Sequence, residues 1–315
     1  MNTRQLKSSL LLLLTAVIWG TAFVAQSVGM DYIQPFTFTS IRFFISGLVL
    51  LPAIAVLDRA LPERRALKQA QAALSPEARR AERRTLLLSG VCWGVCLCAA
   101  TCLQQFGIAL GADSGGDNKS GFITAFYIVI VPVLGLFFKR RCSPLVWVGV
   151  VLALGGLYLL CIKQGFSVSS GDLLVFLCSI LFSVHIMVID HFSGRVDGIK
   201  MSCVQFFTSG VLAALPMLLF ERPALSNILA GWMPLLYAAV LSGGVAYTLQ
   251  ILGQKGLNPA VASLILSLES VVSVVAYTLV LNQPLTGREV AGCVLMFIAI
   301  VLAQLPWKGK QKAKT

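Results

Sequence analysis

The sequence predicts an all-α membrane protein of ten transmembrane helices arranged as two inverted five-helix repeats, and three observations lead there. The chain of 315 residues is 57% hydrophobic and 12% charged, so most of it prefers lipid to water. Apolar runs of membrane length recur along its whole length. The first part of the chain also matches the second at a constant shift, which is the mark of an internal repeat.

The spans come first. Crossing a bilayer core of about 30 Å takes about 20 apolar residues in a helix. Runs of that kind cover Ser8–Val28, Phe36–Leu57, Leu86–Phe106, Gly121–Phe138, Pro144–Ile162, Leu173–Asp190, Met201–Phe220, Trp232–Leu252, Ala260–Leu281 and Arg288–Pro306. Tilted barrel strands need only about 9–11 residues, so runs this long exclude a barrel.

Lys and Arg then set the orientation. With the N-terminus inside, Arg4 and Lys7 are cytoplasmic, as are Arg59, Arg64, Arg65, Lys68, Arg79, Arg80, Arg83 and Arg84 after the second span. Lys139, Arg140 and Arg141, Arg195 and Lys200, Lys255 and the tail residues Lys308, Lys310, Lys312 and Lys314 fall on the same side. The outer loops hold only Lys119, Lys163, Arg222 and Arg288. The positive-inside rule therefore puts both termini in the cytoplasm. This bias accounts for the net charge of +12, and no nucleic-acid partner is called for.

A basic N-terminus before an apolar run can also read as a cleaved signal peptide, and the repeat argues against that. A shift of 163 residues lays Leu10 and Leu11 on Leu173 and Leu174, Leu14 on Leu177, Trp19 on Phe182 and Gly20 on Ser183. In the same register Arg42 falls on Gln205, Phe43 and Phe44 on Phe206 and Phe207, and Gly47 on Gly210. With a smaller shift, Ser120–Val133 lies over Asn258–Val271. Two units follow, 1–165 and 166–315, with a basic cytoplasmic loop at 58–85 in the first. Five spans is an odd number, so the second unit enters the membrane from the opposite side and the repeats are inverted. That is a common plan for secondary transporters with a site near the midplane.

Glu269 is the leading functional candidate, because an ionisable group in mid-span costs at least about 2.5–3.5 kcal/mol and normally faces a cavity. It either exchanges a proton during transport, as a coupling or gating residue, or makes a structural hydrogen bond between helices. Ser263, Ser267 and Ser270 give the ninth span one polar face, against which a cavity is expected. Arg42 is read three ways: as partner to Glu269, as a bidentate ligand for a substrate carboxylate, or as a side chain snorkelling to the nearby outer surface. His185, in the sixth span, titrates near physiological pH in its ordinary state and joins the coupling set. Trp19, Phe23, Tyr127 and Tyr247 can form an aromatic wall for substrate, or simply pack. Thr124, Gln250 and Ser270 complete the expected substrate-binding set, with Gln104 and Gln105 as weaker candidates.

The remaining features point to structure. His185 and Asp190 mimic an acyltransferase His-x4-Asp pair but lie within a span, where no soluble catalytic domain surrounds them. Nine cysteines, four of them Cys92, Cys96, Cys98 and Cys102, fit a small-residue packing stripe with Gly90 and Gly94 better than a metal set. No metal or other cofactor is expected. The loop Asp58–Thr85 reads as two short helices, the second opened by Ser75 and Pro76, lying on the anionic inner leaflet. A Walker phosphate loop is not found, which argues against ATP-driven transport by this chain alone.

Leu14–Phe23 (LTAVIWGTAF), Arg42 in the second span, Gly121–Gly135 (GFITAFYIVIVPVLG), Gly171-Asp172-Leu173-Leu174 and Leu268-Glu269-Ser270-Val271 resemble the EamA family of the drug/metabolite transporter superfamily. The resemblance covers nearly the whole chain. It implies a ten-helix carrier of the bacterial inner membrane for small molecules such as amino acids. Export is the implied direction, with import or phosphosugar-type exchange as alternatives, and monomer or homodimer as the assembly. It also implies a cavity lined by the first, third, fourth, sixth, eighth and ninth helices. Two positions depart from the family's pattern: Ser270 stands where a proline often follows the glutamate, and Lys139-Arg140-Arg141 stand where an acidic residue often follows the fourth helix.

Overall fold

A computed structural model describes residues 3–60, 62–111, 117–138, 142–161, 169–192, 196–255, 257–281 and 285–305. Lys139, Arg140, Arg141, Lys163, Arg195 and the tail lysines lie outside the described residues, and so do the side chains of Arg4 and Lys119. The described elements are all helical. They are α1 (Thr3–Met30), α2 (Pro35–Ala60), α3 (Pro62–Ala73), α4 (Pro76–Gly111), α5 (Asp117–Thr124), α6 (Tyr127–Phe137), α7 (Pro144–Cys161), α8 (Ser170–Phe192) and α9 (Gly198–Phe220). After them come α10 (Leu225–Ala230), α11 (Trp232–Tyr237), a π segment (Ala238–Tyr247), α12 (Thr248–Gln254), α13 (Pro259–Leu266), α14 (Leu268–Leu281) and α15 (Gly287–Gln304). Among the described residues nine helices are long and apolar enough to cross a membrane, and Pro144–Leu160 is a tenth, shorter one.

The helices end where local chemistry ends them. Asp197 caps α9 by accepting from the amides of Ile199 and Lys200, and Asn258 caps α13 with Pro259 at its first turn. Thr286 and Glu289 form a capping box on α15. The cap on α2 comes from a distant residue: Glu221, just past α9, accepts from the amides of Phe36 and Thr37 at 2.8 and 2.6 Å and from the Thr37 hydroxyl. Ser75 does cap a helix, accepting from Ala78, but that helix is not the short one expected. It runs without a break from Pro76 to Gly111, because nothing between Glu77 and Leu88 interrupts the helix.

Two spans are broken. The fourth breaks at Ala125–Phe126, where amides reach back three residues instead of four: Phe126 to Ile123, Ile128 to Ala125 and Val129 to Phe126. Pro132 has no amide to donate to Ile128 and crowds that turn, so the helix tightens upstream. The ninth span breaks at Ser267 without a proline. Ser263 and Ser267 turn their hydroxyls onto the carbonyls of Ala260 and Leu264, a competition with the backbone ladder that bends helices.

Polarity is inverted relative to a water-soluble protein. Phe137, Leu218, Leu219, Phe220 and Leu279 stand on the outside, whereas Thr15, Arg42, Ser46, His185, Gln205, Ser263 and Glu269 are buried. An apolar exterior over polar contacts is what lipid as a solvent selects. The chain is therefore a multi-pass membrane protein.

The pairing of helices is α2 with α9, α7 with α15, α4 with α8, and α1 with α14, α12 and the π segment. At the centre of the α2–α9 pair, Phe43 stacks on Phe206 with centroids 5.7 Å apart, and Phe44 meets Phe207. Gly47 lies under the Phe207 ring and Gly210 under the Phe44 ring. Ser40 donates to the Gly210 carbonyl and Cys203 to that of Gly47. Residues 163 apart in sequence thus face one another, each making its counterpart's contact in return. The α7–α15 pair is held close by Gly156 and Gly292, where a Cβ on either would fall 2.9 or 2.7 Å from the other's carbonyl.

Candidate functional site

The broken helices meet at one place. Tyr127 opens α6 immediately after the fourth-span break, and Glu269 is the second residue of α14 after the ninth-span break. The Tyr127 hydroxyl donates to Glu269 Oε1 at 2.8 Å. Both lie at helix N-termini, where unpaired amides favour negative charge. Glu269 is 4% exposed, and its own backbone carbonyl packs against Gly20 of α1.

These two side chains form one wall of a narrow central cavity of about 40 Å³. Trp19, Phe23 and Gln26 of α1 face it, with Arg42 of α2, Gln104 of α4, Thr124 of α5, and Phe182 and Ile186 of α8. Ser242 and Tyr247 from the π segment, Gln250 of α12 and Leu266 of α13 complete the lining. A π segment and two broken helices around a single cavity fit the tendency of irregular backbone to line sites in membrane proteins.

Arg42 does not snorkel. It is 2% exposed, donates to Gln26 Oε1 at 2.7 Å and lies 4.7 Å from the centre of the Phe43 ring. The planar guanidinium is weakly hydrated, and an amide and an aromatic face hold it away from the surface, while its Nε is buried without a hydrogen-bond partner. Arg42 and Glu269 do not form an ion pair; each is held by its own partner. The Trp19 indole donates to the Ser242 carbonyl at 3.2 Å, with its ring edge-on to Tyr247 at 4.7 Å. Gln104 donates to Thr124 at 3.4 Å.

Several expected residues stand elsewhere. Ser270 gives its hydroxyl to the Gly121 carbonyl at 3.0 Å and ties α14 to α5. Ser263 and Ser267 are spent on their own helix, so the expected serine face does not line the cavity; Glu269, about 100° round the helix from Ser270, does. His185 is fully buried behind Tyr247, with rings 6.1 Å apart, and bonds Gln205 at 3.3 Å. Asp190 lines a separate groove with His191 and Phe192, so His185 and Asp190 do not converge. Gln105 also turns away, toward Met30.

The EamA-like transporter family matches residues 6–162 and again 169–305. The chain belongs to the EamA-like transporter family. An uncharacterized transporter of Archaeoglobus fulgidus is 27% identical over 96% of this chain and 88% of its own length. One from Synechocystis is 24% identical over 95% of this chain and 90% of its own. The uncharacterized inner membrane transporter YedA of Escherichia coli is 22% identical over 92% and 88%. A solved crystal structure superposes with a TM-score of 0.72 at 18% identity, covering 94% of this chain and 96% of that one, which is a likeness of fold.

For an EamA-like transporter the cavity is lined as the resemblance implies, by spans one, three, four, six, eight and nine, with the second span added through Arg42. Gln26, Phe182, Ile186, Ser242 and Leu266 escaped sequence reasoning. Gln26 sits in an apolar run at no special spacing, and its signal is a buried amide one helix away from a buried arginine. Ser242 lies in the π segment, and its carbonyl accepts from the Trp19 indole.

Proposed function

We propose that this EamA-like transporter is a secondary carrier that exports small metabolites, amino acids or related zwitterions, across the bacterial inner membrane by alternating access. The observation that carries this is the placement of one basic and one acidic side chain, Arg42 and Glu269, around one central cavity without pairing to each other. A substrate carboxylate would meet Arg42 and Gln26, its ammonium would meet Glu269 and the Trp19 and Tyr247 rings, and its side chain would lie among Phe23, Phe182 and Leu266. Glu269 exchanges the coupling proton, held meanwhile by Tyr127. A phosphosugar exchanger would need more than one cation to face the ligand, and Arg42 is the only Lys or Arg lining the cavity among the described residues.

Inverted repeats, 1–165 and 166–315, provide the two-way access. The reciprocal contacts of Phe43 with Phe206, of Phe44 with Phe207, and of Gly47 and Gly210 with each other's neighbours support them. Both termini lie on the cytoplasmic side, as the basic residues indicate.

The test is flux of an amino-acid panel in proteoliposomes, with and without an imposed pH gradient, for wild type and Glu269→Gln. Gradient-driven flux of at least one amino acid, lost in Glu269→Gln, is the expected result. Flux that ignores the gradient and survives the substitution would remove Glu269 from coupling and leave a facilitator.

A further inference from the structure

Helix α3 and the first turns of α4 form a hairpin beside the start of α9, bounding a cleft of about 360 Å³ that shares no lining residue with the central cavity. Its walls carry Lys68, Arg79, Arg83 and Lys200, with Glu82 and Asp197 as the acidic residues. The acids are already engaged. Asp197 accepts a two-pronged contact from Arg64 at 3.1 and 2.9 Å besides capping α9, and Glu82 accepts from Gln71. Burial works against the Arg64 charge, but hydrogen bonds to Asp197 and Asp58 outweigh it and raise the guanidinium above its ordinary value.

The cations are less well served. Arg79 donates to the carbonyls of Ala72 and Leu74, and Lys200 donates to Gln71 at 3.2 Å and pairs with Asp197 at 3.8 Å. Lys68 and Arg83 line the cleft without a hydrogen bond or ion pair to any described residue. Two unpaired cations beside two partly engaged ones favour an anion between them. Leu86, at the start of the apolar part of α4, also lines the cleft, so it opens near the level at which lipid headgroups stand.

We propose that this cleft binds a phosphate-bearing anion, seated between Lys68 and Arg83 with Arg79 and Lys200 beside it. Seated there, the anion joins α3 and α4 of the first repeat to α9 of the second and reinforces the Arg64–Asp197 bridge. The phosphate belongs either to an anionic lipid headgroup or to a soluble ion, and one experiment separates the two sources.

The full-length protein in neutral-lipid nanodiscs is titrated with short-chain phosphatidylglycerol and, separately, with inorganic phosphate, reading bound ligand by native mass spectrometry and the thermal midpoint. The variants are Lys68→Gln with Arg83→Gln, and Arg59→Gln with Arg65→Gln as an equal charge change outside the cleft. For the cleft pair the half-saturating concentration should rise about thirtyfold, and for the control pair less than about threefold. Binding of phosphatidylglycerol alone assigns the lipid source, and binding of both assigns phosphate itself; each supports the proposal. If neither ligand binds, or if the two variant pairs weaken binding equally, the proposal is overturned. Should the double variant fold poorly, Lys68→Gln and Arg83→Gln taken singly are each expected to weaken binding about fivefold.

Discussion

Replacing Gly20 by alanine tests whether the contact between α1 and α14 positions the Glu269 carboxylate. A Cβ at Gly20 would lie 2.5 Å from the Glu269 carbonyl oxygen and 2.5 Å from Val272 Cβ. Ordinary contact begins at 3.4 Å, so α14 must retreat by about 0.9 Å. Both obstacles are backbone or a β-branched stem, and neither can swing aside. Overpacking of this kind costs about 1–3 kcal/mol. A retreat of that size from Tyr127, starting at 2.8 Å, carries the pair past hydrogen-bonding distance. Gly20→Ala should therefore lower the thermal midpoint in detergent and reduce flux in proteoliposomes, although it touches no cavity side chain. Gly155 of α7 is the control: nothing lies within 4 Å of its Cβ position, and Gly155→Ala should be neutral or stabilising by about 0.5–1 kcal/mol. If Gly20→Ala matched Gly155→Ala in both midpoint and flux, the argument from close approach would be wrong.

Three further outcomes are expected. Arg42→Lys keeps the charge but loses the planar donor to Gln26 and the contact with Phe43, so the half-saturating substrate concentration should rise about ten- to a hundredfold; unchanged concentration dependence would take Arg42 out of the site. Tyr127→Phe removes the donor to Glu269, and maximal flux should fall on the order of tenfold with less change in half-saturation. An effect on half-saturation alone would make Tyr127 a substrate contact instead. Glu221→Gln replaces one of the two oxygens that accept from the three donors at the start of α2 with an NH2 donor, costing about 1.5–3 kcal/mol, and should show as a lower thermal midpoint with cavity ligands unaffected. A wild-type midpoint would mean that the cap at α2 contributes no stability.

Much of the architecture is legible in the sequence because lipid is a demanding solvent. Length and polarity alone mark the spans, since a helix in lipid must satisfy its own backbone and present apolar side chains. The run from Ala260 to Leu281 with one carboxylate in it marks Glu269 for the same reason, and the Phe-Phe and Gly matches at 163 residues name in advance the side chains that meet between α2 and α9. Periodicity is weaker where two uses of one residue type compete. Ser263, Ser267 and Ser270 look like a cavity face, yet each hydroxyl finds a carbonyl nearby, and no pattern in the sequence tells a hydroxyl that serves its helix from one that faces a ligand.

The sequence by itself determined the all-helical class, the number of crossings and the presence of one acid, Glu269, in the middle of an apolar span. Only the tertiary structure decided that Arg42 is held inward by Gln26 and Phe43, that Tyr127 and Glu269 meet across two helix breaks, that His185 stands behind Tyr247, and that Lys68 and Arg83 share a cleft with Lys200. Partition into lipid depends on each segment's own composition and can be read locally. Which polar groups satisfy one another depends on helices packed from distant parts of the chain, at distances and angles that no single segment encodes.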